Sequence, residues 1–337
     1  MQLIQVVPRL GPWDGVGDYA SRLGEALQRR HGVTNLFIEA AGPEGRRAVV
    51  GELAAGQPAV PLLLHYVGYG YAPRGAPVWL ARALDRRPRG RRLGVVFHEL
   101  YATGRPWQSA FWLGGLQKHI VKRVARQCDG ALLTRAANRE WLDSTGALAN
   151  KRAAVLPIPS NVGEPAALLP LAERSPRMVI WGSAAARAQV YGAHWTMVLA
   201  ICRQWGLSSV VDIGPPTGMP RDADLPIETR GRLDGAALSR VLLGARFGLI
   251  AYPASFLAKS SVFAAYAAHG LVPVVLDKGG TPDMDGLVAG ETYLPLDRAP
   301  AAVAPGDIAR RARAWYADHD TAAHADAVMR LFEGARA

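Results

Sequence analysis

Cysteine is nearly absent from this sequence: Cys128 and Cys202 are the only two among 337 residues. They stand far apart, Cys202 inside an expected helix and Cys128 just past the end of another, which excludes a disulfide frame and a cysteine-based zinc site and points to reduced thiols. No apolar run approaches the roughly 18 residues needed to cross a bilayer, and the N-terminus enters an expected strand without the profile of a signal peptide. A soluble, cytoplasmic protein is therefore expected, with peripheral contact at the inner face of a membrane left open. Lysine is scarce, five residues against 34 arginines, and acid is scarce in the first half. Residues 1–160 carry 22 basic and 11 acidic side chains whereas residues 161–337 carry 17 of each, so the whole net charge of +11 belongs to the first half. Such an asymmetry points to an anionic partner for one domain: a phosphorylated ligand or an acidic membrane surface. Nucleic acid is not expected, because no recognised binding motif accompanies the charge.

What is present is apolar and periodic. Hydrophobic residues make up 50% of the chain, enough for two cores at this length. Short apolar runs at 3–7, 34–38, 61–67, 93–97, 130–133 and 153–156 read as buried strands. They alternate with amphipathic helical stretches at 16–30, 77–86, 107–126 and 136–145. A proline-rich stretch from Pro157 through Pro165 to Pro176 marks a boundary. The pattern then restarts, with strands at 178–181, 210–213, 248–252 and 272–276 and helices at 188–205, 236–243 and 260–269. A tail of two helices splits near Asp318–Asp320. Alternation of this kind predicts the α/β class, with two Rossmann-like, doubly wound domains in tandem: 1–160 (basic) and 161–318.

Ligands of open parallel sheets bind beyond the carboxyl ends of the strands, so the residues following each strand are the candidates. After the first strand, Gly11-Pro-Trp-Asp14-Gly15-Val-Gly17-Asp18 opens a helix, and its glycines admit an anion to backbone amides. The G-x-G-x-x-G spacing of dinucleotide sites is missing, and an ordinary strand-to-helix turn remains the alternative. After the third strand, Tyr66, Tyr69 and Tyr71 either stack on a sugar or pack the strand end. His98, Glu99 and Tyr101 follow the fourth strand, where an imidazole and a carboxylate suit polar contacts to a substrate. In the second half, Arg187 lies after Trp181-Gly182-Ser183, and Lys259, Ser260 and Ser261 end a strand segment and begin a helix, a good diphosphate cradle. The pairs Asp222/Asp224 and Asp283/Asp285 match a carboxylate pattern for divalent metals, but such pairs are common by chance and no metal is expected. Arg82, Arg86, Arg87, Arg89, Arg91 and Arg92, with Lys118, Lys122, Arg123 and Arg126 nearby, either lie on acidic headgroups, at about 1 kcal/mol each, or form a solvated face.

The layout resembles the GT-B glycosyltransferases, and among them the retaining family 4 type. Asp14-Gly15-Val16-Gly17-Asp18-Tyr19 is similar to the family's N-terminal glycine loop, and His98 falls where these enzymes keep a histidine near the transferred sugar. Pro157-Ile-Pro-Ser-Asn-Val162 is similar to the interdomain Pro-Asn-Gly-Val segment. The stretch from Phe247 to Gly270-Leu-Val-Pro273-Val resembles the donor-site region. The resemblance implies two domains facing a cleft, a final helix (about 319–337) crossing back to the first domain, a nucleotide-sugar donor and no cofactor. Departures are specific. Where the family carries two glutamates eight positions apart, this chain has Leu257 and Ala265, and Ser183 takes the place of the usual arginine. Lys259 is placed to restore that positive charge.

Three readings follow. In the first, a retaining, metal-independent glycosyltransferase moves a sugar to a lipid-linked or phosphorylated glycan acceptor in bacterial polysaccharide or glycolipid assembly. Gly15, Gly17, Arg187, Lys259, Ser260 and Ser261 would address the donor diphosphate; His98 and Glu99 would be catalytic; Asp14, Asp18, Tyr66, Tyr69 and Tyr101 would line the cleft. In the second, a non-catalytic GT-B protein binds carbohydrate or a partner. The third, an epimerase- or phosphorylase-like enzyme on sugar phosphates, is weakened by the lack of a lysine placed for pyridoxal.

Overall fold

Parallel strands covered by helices on both faces read as continuous apolar runs, and the runs expected above do form two all-parallel sheets. The computed structural model describes residues 1–11, 15–55, 57–102, 107, 109–220, 225–277, 284–297 and 303–333. The chain divides into unit 1, Met1–Pro157 with Thr321–Ala337, and unit 2, Ile158–Asp320.

In unit 1 the order is β1 (Gln2–Val7), α1 (Gly15–His31), β2 (Thr34–Glu39), α2 (Gly42–Ala55), β3 (Leu62–Tyr66), α3 (Gly68–Tyr71), α4 (Val78–Leu84), β4 (Leu93–Phe97), α5 (Ser109–Gln127), β5 (Gly130–Leu133), α6 (Ala136–Ser144) and β6 (Arg152–Val155). The sheet runs β2-β1-β3-β4-β5-β6. Strand order reverses between β1 and β3, and that switch point is where a crevice opens at the carboxyl ends. One face packs Val6, Leu64, Tyr66, Val95 and Phe97 against α2, α4 and α5 residues such as Leu53, Leu80 and Val121. The other face receives α1 and the final helix, α12 (Thr321–Phe332), which packs on α1, β4, β5 and β6. Glycine admits α12 closely: a Cβ at Gly94 would stand 2.8 Å from the Phe332 ring, and one at Gly130 would stand 3.0 Å from Leu331 Cβ.

In unit 2 the order is β7 (Ser175–Trp181), α7 (Ala184–Tyr191), α8 (Trp195–Gln204), β8 (Ser209–Ile213), β9 (Ile227–Thr229), α9 (Gly235–Gly244), β10 (Ala245–Ala251), α10 (Ser261–Ala268), β11 (Val272–Leu276), β12 (Leu294–Pro295) and α11 (Pro305–Ala317). The sheet runs β12-β11-β10-β7-β8-β9, which puts its switch point between β7 and β10.

Three differences from the expected elements have local causes. Helix α2 was not anticipated, because only Val49 and Leu53 are buried along it and its apolar periodicity is correspondingly weak. The stretch 188–205, expected as one helix, is α7 and α8, separated at Gly192–His194. The edge strands β9 and β12 have three and two residues, too short to show a period.

Candidate functional site

At the carboxyl edge of unit 1, Leu10 N donates to Glu39 Oε2 at 2.9 Å and steadies the turn after β1. Gly17 is needed for packing: a Cβ there would lie 2.6 Å from the Arg9 carbonyl oxygen, so α1 begins against the backbone of that turn. Gly15 is exposed and Asp18 half-buried in the first turn of α1, and Asp14 lies outside the described residues.

His98 follows β4, is 5% exposed, and continues the ladder by donating its N–H to the Tyr66 carbonyl. Its Nε2 is 3.2 Å from Nδ1 of His65, whose Nε2 is 2.7 Å from Gln5 Oε1. Burial pushes the His65 imidazole down to about 3, so it is neutral. The Tyr19 ring stands edge-on to His98, centroids 4.9 Å apart. His324 Nε2–H donates to the Pro157 carbonyl at 2.9 Å, which leaves its Nδ1 to accept the Tyr19 hydroxyl at 2.8 Å. Burial drives that phenol far above its ordinary range. The α12 histidine thus braces the side chain that packs on His98. Glu99 is exposed beside it, and Tyr101 is half-buried under the Lys118 ammonium, 4.7 Å above its ring. Tyr69 is 47% exposed and lines a cavity of about 340 Å³ with Arg9, Arg46 and Tyr71 at the ends of β1 and β3.

Tyr66 departs from expectation. Strand alternation turns it to the face opposite His65, where it is fully buried against Phe97 with centroids 5.7 Å apart, so it belongs to the core and lines no substrate surface. The arginine cluster is also only partly a surface. Arg91 is 1% exposed and bonds Glu52 and the Val60 carbonyl; Arg87 reaches Asp129 and the Gln127 carbonyl; Arg92 reaches the Phe332 carbonyl. Arg82, Arg86, Arg89 and Arg92 are exposed.

In unit 2 the turns after β7 and β10 flank the switch point. Arg187 is not an anion ligand there: it is 1% exposed, and its Nη1 bonds both Asp212 oxygens at 2.5 Å. It also donates to the carbonyls of Gly182 and Pro215, and Tyr191 donates to Asp212 at 2.5 Å. Its work is to brace the turns after β7 and β8, and the close fit explains Gly214, where a Cβ would meet the Gly182 oxygen at 2.4 Å and Arg187 Nε at 2.8 Å. After β10, a 3-10 stretch (Ala254–Lys259) delivers Lys259 to the start of α10. Ser260 is the N-cap, its oxygen accepting from Phe263 N at 3.2 Å, so that hydroxyl holds the helix. Ser261, half-buried, is the first helical residue, and Lys259 is half-buried with its ammonium 5.9 Å from the Phe256 ring. Leu257 and Ala265 are 1% and 0% exposed in the core of unit 2, among Ile250, Phe263 and Leu271. Among the described residues no group of His, Cys, Asp or Glu is arranged to hold a metal; Asp222, Asp224 and Asp283 lie outside them. No helix among the described residues is long and apolar enough to cross a membrane.

Sequence reasoning passed over Gln5, Asn35 and His324. For Gln5 and His65 a signal existed, a polar residue inside an otherwise apolar strand.

No protein-family model matches the chain, and no curated protein matches it. Solved structures do. An alpha-glucosyltransferase (AGT) in complex with UDP superposes with a TM-score of 0.57 at 10% identity, covering 98% of this chain and 99% of that one. The alpha-glucosyltransferase with UDP and a 13-mer DNA gives 0.60 at 9% identity over the same shares. TarM gives 0.50 at 10% identity, over 85% of this chain and 57% of its own. At these identities the likeness establishes architecture: this chain has the α/β fold of the GT-B glycosyltransferases.

Proposed function

We propose that the protein is a glycosyltransferase that takes a sugar from a nucleotide-diphosphate donor. The observation that carries this reading is the β7/β10 switch point, where Lys259 and the first turn of α10 converge at the carboxyl edge of the sheet. The fold supports it, since the solved alpha-glucosyltransferases hold UDP. The Lys259 ammonium and the N-terminal dipole of α10 neutralise the leaving diphosphate as the bond from the anomeric carbon to phosphate oxygen breaks. Transfer proceeds with retention: the acceptor oxygen bonds the anomeric carbon on the same face, and its proton passes to the departing phosphate oxygen. No metal is required, because a lysine and the helix dipole carry the charge. At the carboxyl edge of unit 1, His98 offers a polar contact to a sugar, and Glu99 and Asp18 are further polar groups of that unit.

The acceptor meets unit 1, whose basic excess suits a phosphorylated or lipid-linked glycan of polysaccharide or glycolipid assembly. Exposed Arg82, Arg86 and Arg89, together with exposed Phe111 and Trp112 on α5, suit an anionic membrane surface. The test is release of nucleoside diphosphate from UDP-glucose and related donors, with and without added glycolipid. Duplex DNA forms a further acceptor arm, because solved alpha-glucosyltransferases hold DNA. Donor-dependent release that falls at least tenfold in Lys259→Ala supports the reading.

A second reading has its own observation. Leu257 and Ala265 are sealed in the core, so neither position at which the resembling family carries a glutamate presents a carboxylate. A protein of this fold that binds carbohydrate without turning it over would bind glycans and release no diphosphate from any donor.

A further inference from the structure

Four polar side chains cross the helix-covered face of the unit 1 sheet on a diagonal. Register places them there. Asn35 pairs with Leu3, two residues before Gln5; Gln5 pairs with Leu63, two before His65; His65 pairs with Val96, two before His98. Since side chains alternate with period two, all four share one face, each a strand further across and two residues nearer the carboxyl edge.

The far end of this chain fixes every hydrogen bond in it. Asn35 Nδ2 donates to two backbone carbonyls, Gly24 at 2.9 Å and Val33 at 3.1 Å, which uses both of its hydrogens. Asn35 Oδ1 is therefore the acceptor for Gln5 Nε2 at 2.8 Å. That sets the Gln5 amide, so Oε1 faces His65 and accepts its Nε2–H. A neutral His65 then has a lone pair on Nδ1, and among the described residues it is His98 Nε2–H that satisfies it. Gly24 leaves room for the arrangement: a Cβ there would lie 3.4 Å from Gln5 Nε2 and 3.5 Å from Asn35 Cγ.

We infer that Asn35, Gln5 and His65 are positioning residues that hold His98 in its Nε2–H form, so that Nδ1 is the nitrogen with which it accepts a hydrogen bond. Two carbonyls of the scaffold thus choose the tautomer of a side chain at the candidate site. In one respect this rests on the glycosyltransferase reading: a sugar hydroxyl that reaches Nδ1 meets an acceptor there and not an N–H. Such an acceptor favours sugars that keep that hydroxyl over their deoxy analogues.

Nitrogen NMR of the full-length protein, labelled at histidine, tests the inference without an activity assay. His98 is identified by the signals lost in His98→Asn. The expected wild-type spectrum shows Nε2 of His98 pyrrole-like and Nδ1 pyridine-like, with a single tautomer. Gln5→Met removes the acceptor for His65 and should give His98 mixed tautomers. His65→Leu should do the same, and His65→Gln, whose amide both accepts and donates, should restore the single form. Nδ1–H or a mixture in the wild type would overturn the inference, as would an unchanged His98 signal in folded Gln5→Met. Addition of UDP-glucose separates the two claims. A shift confined to Nδ1 supports both; an unmoved spectrum that keeps the Nε2–H pattern retains the relay and counts against the sugar-nucleotide reading.

Discussion

Arg187 shows how a residue's chemistry can point to one role and its burial to another. Its charge follows a strand, as a phosphate ligand's would, yet Asp212 neutralises it inside the core. Removing one partner of a buried pair leaves the other uncompensated, so Asp212→Ala should cost about 3–5 kcal/mol. Urea denaturation checks this, and the double replacement Arg187→Met/Asp212→Leu should be much milder. A loss below 1 kcal/mol for Asp212→Ala would mean that the pair is not desolvated as described. The buried histidines make a second prediction. Burial lowers His65 to about 3 and His269 to about 4, whereas an unfolded imidazole titrates near 6.5. Between those values the unfolded chain takes up a proton that the folded chain refuses. Stability is therefore full above about pH 6.5 and falls as pH drops, by roughly 1.4 kcal/mol per pH unit for each group. In His269→Gln, stability measured from pH 6 to pH 4.5 should lose one such slope; a slope equal to wild type would contradict the neutral, buried state. At this scale the sequence was least legible. Tyr66 and His65 are neighbours with opposite fates, core and relay, because a strand sends alternate residues to opposite faces, and composition does not say which face is which.

Elements were more legible, for a physical reason. A parallel strand buried on both faces must be apolar throughout, and runs such as 62–64 or 272–276 announce themselves. Helix α2 buries two side chains and the edge strands are too short to show a period, so they did not. What no local pattern reveals is which helix covers which strands. Helix α12 lies far along the chain from β4 and β5, yet Gly94 and Gly130 are glycine because Phe332 and Leu331 rest on them. Gly94→Ala should displace α12 and cost about 1–3 kcal/mol. Phe332→Ala in the same molecule should relieve part of that cost, giving a double-mutant coupling larger than the 0.3–0.5 kcal/mol or so of independent sites. Strict additivity would show that the two do not meet.

At the scale of the whole molecule, alternation of strand and helix on either side of the Pro157–Pro176 stretch was enough to foresee two sheets. The structure supplies strand order, and with it the two switch points. Unit 1 has a buried relay and basic surface; unit 2 has a capped helix start with one lysine. Of the residues expected to address a diphosphate, Lys259 and Ser261 lie at the turn after β10, whereas Arg187 and Ser260 are engaged by the fold itself. That narrows the cationic part of the proposed donor site to Lys259. The central claim, a diphosphate held at the turn after β10, is tested most directly by melting temperature against a series of nucleoside diphosphates and their sugar conjugates. A ligand at about 100 times its dissociation constant adds roughly 2.7 kcal/mol of stability. The expected result is a clear rise with one nucleotide base, lost in Lys259→Ala while the ligand-free melting temperature stays near wild type. No rise with any member of the series, or a rise untouched by Lys259→Ala, would contradict the assignment.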